Sequence, residues 1–110
     1  MIKSIVKFLL ILFSGVIYSQ SFTGNYFVGE QKVTITIEDN FYYIIYEDGN
    51  IKRLLQYEEN TPENDQIWLE WQKVKQTTRQ TGTLVFKQDY TGGIYTDYRT
   101  GQEFIIKKRD

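Results

Sequence analysis

Residues 32–38, KVTITIE, alternate strictly. Val33, Ile35 and Ile37 fall on one side of an extended chain, and Thr34 and Thr36 on the other. A period of two with β-branched residues on both sides is the pattern of a half-buried strand, and a helix cannot use it. The same texture runs through the rest of the chain. Aromatic and β-branched pieces are cut by turn signals roughly every 8–12 residues, the rhythm of an all-β sandwich or barrel. The pieces cover 23–28, 32–38, 41–47, 51–57, 67–74, 82–87, 93–98 and 102–107. No stretch after Ser21 keeps a 3.6-residue period for three turns, so helix is not expected there.

The connections between these pieces are short. Asp39-Asn40 reads as a two-residue turn, and Asp48-Gly49 as a type I′ hairpin turn whose central positions both need positive φ. The longest polar link, 58–65 (EENTPEND), holds the single proline, Pro62, and 76–81 reads as a further polar turn region. Eight strands in meander order predict a small antiparallel barrel, which leaves no exposed edge. A two-sheet β-sandwich built from the same strands is the alternative. Alternation predicts Ile67, Leu69 and Trp71 on the core face of the fifth strand, with Trp68, Glu70 and Gln72 opposite. On the fourth strand it groups Ile51, Leu55 and Tyr57 with Arg53 on the buried face.

The first 21 residues, MIKSIVKFLLILFSGVIYSQS, have a different character. Lys3 and Lys7 precede an uncharged apolar run over 8–17, and small or polar residues close the segment, the order of a cleaved secretory signal peptide. Ten apolar residues fall well short of the about 20 needed to span a bilayer. Cleavage is expected after Ser19 or after Ser21, and no Cys follows that could carry a lipid anchor. The chain therefore divides into a signal peptide over 1–19 and a single β domain over 20–110, with a secreted or periplasmic destination and no membrane span after cleavage.

Composition narrows the chemistry. Without Lys3 and Lys7, 11 Lys and Arg face 14 Asp and Glu, a net charge of −3 that does not favour nucleic acid or an anionic membrane. Cysteine is absent, so disulfides cannot supplement a small core. Aromatic burial is the expected substitute: large rings bury 150–250 Å² each, worth several kcal/mol at about 25 cal/mol per Å². Histidine is absent too, which removes Ser-His-Asp and Cys-His catalysis and the usual zinc sites. No Gly-rich loop precedes a helix, so a phosphate cradle is not expected. The acidic residues Glu58, Glu59, Glu63 and Asp65 do not follow EF-hand spacing and read as a solvated loop. A carboxylate pair is the one catalytic option left, and Glu70 and Asp97, both within strands, are the candidates. They read as solvent-facing charges rather than as an acid–base couple, so no catalytic residue, metal or cofactor is assigned.

Gly24-Asn25-Tyr26, at the head of the first strand, resembles the Gly-x-Trp opening of the lipocalin-like (calycin-type) exported barrels, with Tyr26 in place of Trp. That resemblance implies a barrel able to hold a small ligand. From the residues themselves, Trp68 stands out as a ring on the polar side of its strand, where Tyr42, Tyr46 or Tyr95 would complete a stacking platform. Arg53 is the second candidate, a cation able to read an acidic ligand head or to reach water at the barrel mouth. The expectation is an exported non-enzymatic binding protein with Trp68, Tyr42, Tyr46, Arg53 and Tyr95 at its binding site. Its partner is either a small molecule inside the barrel or an envelope or extracellular protein on an outer Trp/Tyr face.

Overall fold

The computed structural model describes residues 22–109; the expected leader and its cleavage point lie outside them. Eight strands follow one another: β1 (Gly24–Val28), β2 (Gln31–Glu38), β3 (Phe41–Tyr46), β4 (Ile51–Gln56), β5 (Gln66–Val74), β6 (Thr77–Phe86), β7 (Gly92–Asp97) and β8 (Glu103–Lys108). Each pairs antiparallel with the next. The β1–β8 ladder, Tyr26↔Lys108 to Val28↔Ile106, closes the sheet into a barrel. Closure consumes both edge strands and excludes the open sandwich.

The turns set the register. Asp39 and Asn40 both have positive φ, 53° and 71°, as the two-residue link between β2 and β3 requires. The β3–β4 link differs from expectation. The Gly49 N–H donates to the Tyr46 carbonyl and the Tyr46 N–H to the Asn50 carbonyl, both at 2.9 Å, enclosing three residues rather than two. Only Gly49 takes positive φ (94°), so this is a three-residue loop with glycine in the left-handed position, not a type I′ turn. The segment 76–81 is also not a turn region: β6 starts at Thr77, and Thr77–Gln80 pair with β5.

Every second residue points inward. Tyr26, Val28, Val33, Ile35, Ile44, Tyr46, Leu54, Trp68, Leu84, Phe86, Tyr95 and Ile106 pack with Phe22 into one cluster. On β2 the expected phase holds, with Val33 and Ile35 buried, while Ile37 lies past the core and is exposed. On β4 and β5 the expected phase is reversed. Leu54 is inside, whereas Ile51, Arg53 and Leu55 face out; Gln66, Trp68 and Glu70 are inside, whereas Ile67, Leu69 and Trp71 face out. Both strands carry apolar residues in both phases, so hydrophobicity does not decide between them. The decision falls to polar groups that find partners inside. The Gln66 amide donates to the carbonyls of Thr61 (2.6 Å) and Asn64 (3.0 Å) and accepts from Gln56 (3.2 Å). A buried polar group satisfied in this way no longer carries the full desolvation penalty.

Candidate functional site

Meander order gives the barrel two ends. The β1–β2, β3–β4, β5–β6 and β7–β8 turns gather at one, and the N-terminal entry with the β2–β3, β4–β5 and β6–β7 links at the other. The first end holds a carboxylate. Glu70 is 0% exposed, and its Oε1 accepts from the hydroxyls of Thr81 (2.7 Å) and Tyr95 (2.8 Å), while Oε2 accepts from Tyr46. The Lys52 ammonium stands 3.5 Å from Oε1 and 5.3 Å from the centre of the Tyr46 ring.

A β-bulge builds this cluster. Glu70 pairs with Gly82 and Trp71 with Gln80, leaving Thr81 as the extra residue on β6. A bulge bends its strand and re-aims a side chain, and here the Thr81 hydroxyl turns in to Glu70. Gly82 makes room beside it: a methyl group there would lie 2.5 Å from the Tyr95 hydroxyl oxygen. Burial, reinforced by the Glu70 charge, pushes the Tyr46 hydroxyl far above the ordinary phenol value, and the same causes raise Tyr95. Outside this cluster an open depression of about 260 Å³ is lined by Tyr46, Lys52, Tyr95, Asp97 and the Asp48–Asn50 turn. Asp97 is occupied locally, since its Oδ1 accepts from the N–H groups of Arg99 (2.8 Å) and Thr100 (3.3 Å).

The opposite end is closed by rings. Phe22 stacks on Trp68 (centroids 4.0 Å apart, planes at 16°) and meets Tyr42, Phe86 and Tyr90 at 5.1, 5.4 and 4.9 Å. Tyr42 also meets Trp68 edge-on at 4.9 Å. Trp68 is 4% exposed, so it is not a surface platform.

The outer wall carries a third feature. Tyr43 pairs with Arg53, and Arg53 with Trp71, so the three form one cross-strand row facing outward. The Arg53 guanidinium lies 4.1 Å from the Phe41 ring centre. Ile51 and Leu55, 59% and 40% exposed, flank the row. With Lys73 and Thr78 these residues line a shallow groove of about 480 Å³.

The five expected site residues are therefore split among three places. Tyr46 and Tyr95 meet at Glu70, Tyr42 and Trp68 meet at Phe22, and Arg53 stands alone outside. Glu70 is a further correction, since it is a fully buried acceptor rather than a solvent-facing charge. Gly82 gave the signal that was missed: a glycine inside a strand pattern marks a bulge or a close approach, and here it marks both.

No helix among the described residues is long and apolar enough to cross a membrane. Comparison with protein-family models, with curated proteins and with solved structures yields no match for this chain.

Proposed function

We propose that this chain is an exported, non-enzymatic binding module that holds an extended polypeptide in the outer groove over β3, β4 and β5. The single observation that carries the reading is the outward row Tyr43–Arg53–Trp71 with Ile51 and Leu55 beside it. Aromatic residues and arginine are the types most enriched where binding energy concentrates. Among the described residues Arg53 makes no ion pair, and Lys73 lies at the groove rim, so the fitting partner carries carboxylates among its apolar side chains. Because the barrel is closed, the partner cannot add a strand and must be held by side chains.

A carrier needs an internal cavity, and the packing of the inward side chains of the described residues into one cluster favours the outer face instead. The leader expected over 1–19 supports a partner in the envelope or the medium. A non-enzymatic role is supported by the state of Glu70, whose oxygens are already engaged by Thr81, Tyr46, Tyr95 and Lys52. Phenols raised still further from neutrality are poorly matched to acid–base work.

The test is a titration of the isotope-labelled protein with a library of extended peptides that combine Leu or Phe with Glu. Saturable shifts are expected at Tyr43, Ile51, Arg53, Leu55 and the Trp71 indole, and Arg53→Glu should abolish them. Failure of every peptide to bind saturably, or shifts confined to residues inside the barrel, would contradict the proposal.

A further inference from the structure

The outward side of β8 reads Glu103, Ile105, Lys107, one residue in two, around the inward Ile106. The neighbouring strands extend that order sideways. Ile94 of β7 stands beside Ile105, and Phe27 of β1 stands beside Lys107 with Lys32 of β2 beyond it. Glu30, in the β1–β2 turn, lies at the Glu103 end. At the other end the Arg109 guanidinium lies 5.6 Å from the Phe27 ring centre. Along the strands this wall therefore passes from acidic through apolar to basic. At 3.2–3.4 Å per residue, roughly 13 Å separate Glu103 from Lys107.

Nothing within the described residues covers this wall. Ile105 and Ile94 are 58% and 38% exposed. Ile105 and Phe27 open onto a shallow depression of about 700 Å³, which Glu30, Glu103 and Lys107 also line. Among the described residues, none of Glu30, Glu103, Lys32, Lys107 and Arg109 makes an ion pair. Glu103 and Lys107 cannot neutralise each other across Ile105. Single apolar side chains are ordinary on a surface, but a contiguous strip with unpaired charges of opposite sign at its two ends is not. Such a strip is complementary to itself when turned end for end.

We infer that two copies of this chain pair through the β7–β8–β1 wall, about a two-fold axis that crosses the strands at Ile105. That operation sets the strands of the two copies antiparallel, face to face. Glu103 of each copy then meets Lys107 of the other, Glu30 meets Lys32, and Ile105 meets its own counterpart. Each contact occurs twice, as a two-fold interface requires. The parallel arrangement brings like charges together and is repelled. The strip is narrow and rimmed by charge, so the pair is weak and sensitive to salt. β8 and β4 are four strands apart in a ring of eight, so pairing leaves the outer groove open on the far side of each copy. The inference does not depend on what that groove binds.

Sedimentation velocity of the purified protein over a concentration series, up to about 1 mM, reads the pairing directly. A reversible monomer–dimer equilibrium is expected, weakened by added salt. Lys107→Glu makes both ends of the strip acidic, and Glu103→Lys makes both basic. Each variant alone should pair about tenfold or more weakly than the parent. Mixed in equal amounts, the two variants should pair at least as well as the parent, because every acidic end then meets a basic one. Ile105→Thr should also weaken pairing about tenfold or more, with the denaturation midpoint held near that of the parent. A parent that stays monomeric throughout overturns the inference. So do single variants that pair as well as the parent, or a mixture that recovers nothing. Should either single variant fail to fold, the double exchange Glu103→Lys with Lys107→Glu keeps the ends opposite in sign. It must then pair like the parent while Ile105→Thr does not, and any other result overturns the inference equally.

Discussion

Glu70 shows how a charge survives inside a small barrel. Removing a carboxylate and its partners from water is costly, and only saturation of its oxygens offsets the cost. Three hydroxyls and Lys52 provide that saturation. Truncation should therefore be severe: Glu70→Ala leaves two buried phenols and an ammonium without their acceptor, at about 3–5 kcal/mol by chemical denaturation. Replacing the set together, Glu70→Leu with Tyr46→Phe and Tyr95→Phe, should cost far less than the single truncation, because no polar group is then orphaned. The same cluster sets an alkaline limit. Tyr46 and Tyr95 hold their protons in the folded chain well above the point, about pH 10, at which the unfolded chain releases them. Their contribution is complete below about pH 10 and is lost as pH rises above it, since the unfolded state then binds fewer protons. Denaturation midpoints measured through that range should fall with pH, and Tyr46→Phe should make the fall shallower.

At the level of elements, the β5–β6 bulge decides whether Glu70 meets its partners. Gly82→Ala would drive a methyl group into the Tyr95 hydroxyl and should cost about 1–3 kcal/mol. Combined with Tyr95→Leu, the loss should be less than the sum of the two single losses, as expected of residues in contact. The existence and order of the eight strands were legible, because β-branched alternation and turn residues mark them locally. The inward phase of β2 was legible as well, since Val33 and Ile35 alternate with threonines that point to the other side. For β4 and β5 the phase was not legible. IKRLLQ and QIWLEWQKV carry apolar residues on both sides, and the partners that admit Gln66 and Glu70 to the interior come from distant segments. One slip in phase then moved Trp68 and Arg53 to the wrong side of the wall, because a period of two sends each residue to the opposite face. Tyr46 and Tyr95 had each been read as a possible neighbour of Trp68, whereas they meet at Glu70, a carboxylate that had been read as solvated.

As a whole, the molecule hides one aromatic set and displays another. Phe22, Tyr42, Trp68, Phe86 and Tyr90 close the interior, whereas Tyr43, Arg53 and Trp71 line the outside of the same wall. Substitutions on the outer row should separate binding from stability. Arg53→Glu should leave the denaturation midpoint within about 0.5 kcal/mol of the parent while it abolishes peptide binding in the groove. The placement of the two tryptophans on opposite sides of β5 is the claim on which the outer groove rests. Chemical denaturation of Trp68→Ala and Trp71→Ala, side by side, tests it most directly. Trp68→Ala should open a cavity in the packed interior and cost about 3–5 kcal/mol, a large share of what a domain of this size has. Trp71→Ala should cost well under half of that, having only a half-buried outer contact to lose. A loss for Trp71→Ala equal to or greater than that for Trp68→Ala would contradict the account.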